Sequence, residues 1–403
     1  MTRPTLYKDS TSRYNAYMLI TRLKNKHPKT LISASIAVLV GVIGTTVAIY
    51  SPVAIWQEPP GSEVVRKSVD DISIETIAKD LEAPWSIDFT SDGNMFFTER
   101  PGRVRKIENS RLLDKPLLEL PGADAEGGLL GIALDPNYDN NRYVYIYYTN
   151  QTQNNQVSRY RYNGESLVEE SIIIDDIPGA RTHNGGRIDF GPDGNLYIAT
   201  GDAEEPDSAQ DKNSLAGKIL RVKPNGNIPI DNPRADSPVY SIGHRNVQGL
   251  AWDQKGNLYA TEHGAQALDK INLIKPGANY GWPVHEGDID DEEPQVENYM
   301  NPLLSSGQVT WAPSGATFYT DEVLSYKWQD KLFFAGLRSQ GLWRLDTNSL
   351  ELQKLLDESY GRLRDVQQGP DGYLYILTSN RDGRGWPDSS DDKILRIKPA
   401  IRQ

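Results

Sequence analysis

"GGRIDFGPDGNLYIATGD", residues 185–202, decides the fold. It contains a short run of alternating apolar residues, a Pro-Asp-Gly turn and a second run rich in Leu, Tyr and Ile. Aspartate-glycine between two alternating runs signals a hairpin, because Gly accepts the positive φ of a tight reversal. The phrase recurs as "WSIDFTSDGNMFFTER" (85–100), "GLLGIALDPNYDNNRYVYIYYT" (128–149), "VQGLAWDQKGNLYATEHG" (247–264), "SGATFYTDEVLSYKWQDKLFFAGL" (314–337) and "LRDVQQGPDGYLYILTSN" (363–380). Each copy runs on into a third strand, such as "GRVRKI", "GKILRVKP" or "DKILRIKP".

Six copies whose phase-matched residues, Phe89, Leu134, Phe190, Trp252, Phe318 and Gln368, lie 45 to 66 apart suit propeller blades with variable loops. The expected fold is all-β: a six-bladed β-propeller of antiparallel four-stranded blades over residues 72–403. Composition agrees, with 21 Tyr against 7 Phe and 34 Gly and 25 Pro spread along 403 residues, as many short strands joined by turns require. A stack of separate sandwiches would need linkers between the copies, and none is visible.

Charge divides the chain. Residues 1–30 hold seven Lys or Arg and one Asp, whereas the whole protein carries −12. The acidic remainder excludes nucleic acid as a partner of the main domain. Between the two regions runs "LISASIAVLVGVIGTTVAIY", residues 31–50, long and apolar enough to cross a bilayer as a helix. The expectation is a basic cytoplasmic tail (1–30), a transmembrane signal-anchor (31–50), a proline-bearing tether (51–71) and a catalytic domain held outside the cytoplasm, periplasmic in a two-membrane cell. A cleaved signal peptide is the other reading of 31–50. Cysteine is absent, which removes disulfides, thiolate ligands and thiol nucleophiles.

In a propeller the innermost strands run parallel, so residues just before them meet at one mouth. Those positions hold Glu126, His183, Arg245, Asn246, Ser314, Arg362 and Arg364. Exits of the second strands add Arg100, Asp202, Glu262, His263, Arg338 and Asn380. A ring of arginines on an acidic protein points to a compact ligand with several anionic groups, since guanidinium makes planar paired contacts with carboxylates. His183, at a strand entrance, is the candidate general base.

"RTHNGGRIDFGPDGNLYIATGD", "GHRNVQGLAWD", "EHG" followed by "INLIKPGANYGWP", and "GRLRDVQQGPDGYLYILT" together resemble the glucose/sorbosone dehydrogenase family, and within it the aldose sugar dehydrogenases that use pyrroloquinoline quinone (PQQ), over about Ile77 to Lys398. The resemblance implies a calcium-activated enzyme that oxidises the anomeric carbon of an aldose to a lactone and passes electrons to an external acceptor. It implies His183 as the base taking the C1 hydroxyl proton. It implies cofactor contacts from Glu126, Arg245 and Asn246, from Gly336, Leu337 and Arg338, and from Arg362, Leu363 and Arg364. Calcium would be held by the carbonyls of Gly264 and Ala265, with Tyr280 at a second calcium site. Four positions depart from the pattern: Glu126 stands where relatives commonly have Gln, Ala265 for Pro, Arg338 for Lys in some, and Lys270 where an acidic residue is common. A lysine cannot ligate calcium, so the second site is expected to be lost or altered. Two rivals remain at this point, a calcium-dependent lactonase or esterase and a non-catalytic, membrane-tethered binding propeller.

Overall fold

The computed structural model describes residues 72–122, 125–288 and 299–399. The tail, apolar span and tether expected over 1–71 lie outside the described residues, as do 400–403. Among the described residues no helix is long and apolar enough to cross a membrane.

Strand β1 (Ile72–Ala78) is followed by blade one, made of β2 (Pro84–Phe89), β3 (Met95–Glu99), β4 (Arg103–Glu108) and β5 (Arg111–Leu112), with β6 (Leu118–Glu119) also paired to β4. Blade two holds β7 (Leu129–Leu134), β8 (Tyr143–Thr149), β9 (Asn155–Tyr162) and β10 (Leu167–Ile177). Blade three holds β11 (Ile188–Phe190), β12 (Leu196–Ala199), β13 (Lys218–Val222) and β14 (Val239–Ile242). Blade four holds β15 (Val247–Trp252), β16 (Leu258–Glu262), β17 (Lys270–Ile274) and β18 (Leu304–Ser305). Blade five holds β19 (Pro313–Tyr319), β20 (Lys331–Gly336), β21 (Gly341–Leu345) and β22 (Leu352–Lys354). Blade six holds β23 (Leu363–Gln368), β24 (Leu374–Thr378) and β25 (Ile394–Pro399), and its outer strand is β1. The six-bladed antiparallel propeller expected from the repeat is the fold observed, with two refinements. Blade one carries a fifth short strand, and the first strand of the described chain completes the last blade, Ile74 opposite Ile397.

The alternation that marked the repeats sends successive side chains to opposite neighbours. In β12, Leu196 and Ile198 enter a core shared with blade two, whereas Tyr197 and Ala199 enter one shared with blade four. In β24, Leu374 and Ile376 face blade five while Tyr375 and Leu377 face blade one. The buried apolar residues accordingly fall into six clusters, one at each blade junction. Both faces of a blade are covered, which explains runs such as "YVYIYY" that are apolar without a gap.

The centre is filled rather than open. Arg187 is 2% exposed; its guanidinium bonds Asp365 and Ser86 and the Gln248 carbonyl, and lies over the Trp85 ring at 4.4 Å. One cation thus ties four blades together beneath the mouth.

Candidate active site

Five of the six innermost strands begin with a break in register against the next strand, between Pro84 and Ile87, Leu129 and Ile132, Val247 and Gly249, Pro313 and Ala316, and Leu363 and Asp365. A bulge there re-aims side chains at the end of the barrel-like channel. The short β11 instead follows Gly185 and Gly186, whose φ values are +62° and +109°. A Cβ on Gly185 would lie 2.5 Å from the Thr200 carbonyl carbon, and one on Gly201 would lie 1.7 Å from the His183 oxygen. Only glycine at both places lets the His183 loop press against the end of β12.

These starts converge on a cavity of about 920 Å³. The sequence-predicted residues Glu126, His183, Arg245, Asn246, Gly264, Ala265, Leu337, Arg338, Arg362 and Arg364 line it, together with Arg100 and His263. Gly336 and Leu363 do not. Leu363 is fully buried in the junction of blades five and six, because the residue between two channel-facing arginines must point into the blade core. Gly336 ends β20, where a Cβ would strike the Ser339 hydroxyl at 2.0 Å. Ser314, Asp202, Glu262 and Asn380, also expected at the mouth, sit behind or beside the lining.

Tyr280 does not line the cavity. Its ring stacks on His244 at 4.7 Å, and its hydroxyl donates to the Leu273 carbonyl and accepts from the Lys275 amide. The cation next to its carbonyl is the Lys270 ammonium, 3.4 Å away and 3.4 Å from Glu262 Oε1. Tyr280 is a packing residue here, and a fixed lysine stands where the sequence suggested a metal.

His183 has φ +59° and its amide donates to Glu126 Oε2 at 3.0 Å. Its Nε2 lies 2.9 Å from Arg245 Nη2 and its Nδ1 2.8 Å from Asp202 Oδ1. Arginine can only donate, so Nε2 carries the lone pair and the ring proton sits on Nδ1, given to Asp202. Asp202 is fully buried and its other oxygen accepts the Trp282 indole N–H at 2.8 Å. A base with its lone pair toward a cavity and a carboxylate behind it has the geometry for removing a proton from a bound hydroxyl.

Six arginines and three carboxylates, Glu126, Asp269 and Asp382, line the cavity. Asp382 is committed to Arg362, at 2.8 Å, and Asp269 accepts three backbone amides, from Gly264, Trp311 and Ala312. Burial, reinforced by Arg362 and Arg100 and opposed by Asp382, pushes the Arg364 guanidinium down to about 9. Burial together with Arg364 and Arg245 pushes His263 down to about 3, so its ring is neutral. Arg245 Nε, Arg364 Nε and His263 Nε2 are buried without a hydrogen-bond partner among the described residues. The two guanidinium groups, desolvated and incompletely bonded in this way, suit a multiply charged anion.

Sequence reasoning gave no role to Trp85, Gln248, Asp269, Asp382 or Arg384, all of which line the cavity. Arg384 pairs with Glu126 at 2.7 Å, so the acidic departure at 126 is balanced by a charge from a loop with no periodic pattern. Asp202 was visible as a strand exit, but its partnership with His183 depends on tertiary distance.

Fold and site together define a six-bladed propeller whose mouth gathers six arginines around a histidine backed by a buried carboxylate. The chain belongs to the glucose/sorbosone dehydrogenase family, whose model matches residues 81–395. It is 30% identical to the aldose sugar dehydrogenase of Escherichia coli over 81% of this chain and 93% of that one. It is 34% identical to an uncharacterized protein of Synechocystis, with 81% of this chain and 89% of that one covered. Among solved structures, the PQQ-bound aldose sugar dehydrogenase of Streptomyces coelicolor superposes with a TM-score of 0.73 at 37% identity, over 82% of this chain and 98% of that one.

Proposed function

We propose that this protein oxidises the anomeric carbon of an aldose to the lactone in a PQQ- and calcium-dependent reaction and delivers the electrons to an external acceptor. The observation that carries the reading is the His183–Asp202 pair, with Nε2 unprotonated, opening onto a cavity walled by six arginines. PQQ, a tricarboxylate, fits the desolvated guanidinium groups and, when bound, supplies the two-electron acceptor that no side chain here can be.

Arg362, Arg364 and Arg338 would hold its carboxylates. The Arg338 side chain, exposed and without a hydrogen bond or ion pair to the described residues, is free to swing onto a ligand. Arg245 binds His183 Nε2 and the Gly264 carbonyl at 2.7 Å, and must release both for a sugar hydroxyl and a metal to approach. The carbonyls of Gly264 and Ala265 suit calcium as hard oxygen donors. Two carbonyls are far short of the six to eight oxygens calcium takes, roughly, so the remaining ligands must come from cofactor and water. His183 takes the hydroxyl proton at Nε2; Asp202 then faces an imidazolium and stabilises it.

The arginine-rich lining disfavours a lactonase, whose metal would need converging carboxylates; among the described residues no cluster of three or more His, Cys, Asp or Glu could hold one. Purified protein titrated with PQQ and calcium should develop an absorption spectrum that bleaches on adding an aldose, with dye reduction. His183→Ala should take up the cofactor yet turn over at least 100-fold more slowly; turnover close to wild type would remove His183 as the base.

The same reading places residues 1–30 in the cytoplasm, anchors the chain through 31–50 and holds the propeller outside, on the strength of the basic flank and the uncharged twenty-residue span. An alkaline wash that strips peripheral proteins should leave it in the membrane pellet, and its release would sink the anchor.

A further inference from the structure

We propose that the propeller rests on a bilayer through the loop of residues 320–330 in blade five, with the mouth opening away from the lipid. This rests on the anchor reading of residues 31–50 and adds to it a contact surface and an orientation.

Strand polarity fixes where the tether arrives. The innermost strands begin at the mouth, so the turns that join them to their antiparallel partners, such as 191–195 and 369–373, lie at the opposite end of the ring. In blade six, Ile394 of β25 is level with Leu377, toward the mouth, and Ile397 with Leu374, beside the far turn. Ile72 sits opposite Pro399, beyond Ile397, so the chain enters the propeller at the end remote from the mouth. Twenty-one residues, 51–71, separate Ile72 from the apolar span and reach at most about 75 Å. Tethering holds this end at a high local concentration of lipid, where a weak contact suffices.

Exposed apolar groups collect at that end. Tyr326 is 74% exposed and Val323 41%, both on loop 320–330, and Leu350, 43% exposed, lies on the 346–351 turn of the same blade. The loop is pinned from within. Leu324 and Trp328 are buried in the cluster against which Ile72 and Ile74 pack. The Leu324 amide donates to the Tyr319 hydroxyl at 2.8 Å, and that hydroxyl donates to the Gly372 carbonyl at 3.0 Å on the far turn of blade six. With Leu324 and Trp328 holding the inward positions, Val323 and Tyr326 stay outside, where apolar surface gains by being covered.

Lys327 stands 6.0 Å from the centroid of the Tyr326 ring. Tyrosine beside lysine suits a membrane–water boundary, where the ring lies at the headgroup level and the ammonium turns outward to water and phosphate. Asp321, Glu322 and Asp330 outnumber Lys327 on the loop, so anionic lipid does not attract it. The contact is therefore apolar, with a zwitterionic bilayer as its partner.

The chain has no cysteine, so Glu322→Cys on the loop and Asp207→Cys at the mouth end each supply a single thiol for a fluorophore. Full-length protein is reconstituted into phosphatidylcholine vesicles that carry a lipid-borne nitroxide quencher. The label at 322 should be quenched roughly three-fold or more over the label at 207, since an interfacial side chain sits about 5–10 Å deep. Adding Val323→Ser/Tyr326→Ser should bring the two labels to equal quenching with the melting temperature unchanged. Equal quenching without those substitutions, or stronger quenching at 207, overturns the orientation. A response at 322 that follows protein concentration and not lipid assigns the loop to a second copy of the chain and overturns the bilayer contact. Release of the chain by an alkaline wash refutes the anchor instead; the same two labels on full-length protein mixed with preformed vesicles then decide the surface, and equal quenching there overturns it.

Discussion

His183 draws its chemistry from three neighbours. Arg245 can only donate to Nε2, so the proton is forced onto Nδ1, and Asp202, held in turn by Trp282, fixes the ring plane. Asp202→Asn keeps the size of the side chain but can present an N–H to Nδ1, which would turn the tautomer over and place the proton on Nε2. We expect kcat to fall by about 100-fold or more with cofactor uptake intact, since proton removal by a positioned base contributes roughly 10²–10⁴; a kcat within a few-fold of wild type would mean that Asp202 does not set the tautomer. The sequence showed His183 and Asp202 as a strand entrance and a strand exit nineteen positions apart, which is adjacency in a hairpin. It could not show the 2.8 Å contact, because that depends on a left-handed backbone at residue 183 and on glycines that let the two segments touch.

Individual strands show where legibility stops. The period of two in β12 and β24 was readable in the sequence as an alternating run, and the folded ring turns it into alternate burial in the two flanking junctions. Bulges at the starts of the innermost strands were not readable, since an extra residue leaves the apolar pattern of the following positions unchanged. Strand β17 carries a second lesson. Its first residue, Lys270, reaches Glu262 on β16, whose carboxylate also accepts from His244, Asn272 and the Arg245 amide. Burial would raise the Glu262 pKa, but Lys270 and His244 outweigh it and hold the group at about 2. A depressed carboxyl contributes stability above its ordinary value of 4.5, and that contribution is lost as pH falls toward 2. Lys270→Met leaves this carboxylate buried without its cation and should cost about 3 kcal/mol in the unfolding free energy, with Lys270→Met/Glu262→Gln recovering part of it. Equal melting temperatures for wild type and Lys270→Met would show that the ammonium balances nothing.

Closure of the ring belongs to the whole molecule. Strand β1 pairs with β25, and Ile72 and Ile74 pack against the core between blades five and six, so the last blade is finished by the first strand. Removing residues through Ala78 exposes the edge of β25 and the core beneath it. Such a chain should unfold at a markedly lower denaturant midpoint, with blade six becoming the first region to exchange its amides; a midpoint equal to that of the intact chain would show that the ring closes without this strand. Repetition, strand alternation and turn chemistry are local properties, so the sequence by itself determined six blades, their order, and a mouth rich in arginine with two histidines, His183 and His263. Position around the ring is not local: which arginine stands free and which is spent on Asp382, that Arg384 answers Glu126, and that Leu363 and Tyr280 turn away from the cavity were decided only when the chain closed. Electrostatic and hydrogen-bond partnerships act over a few ångströms between residues far apart in the chain, and only the folded circle sets those distances.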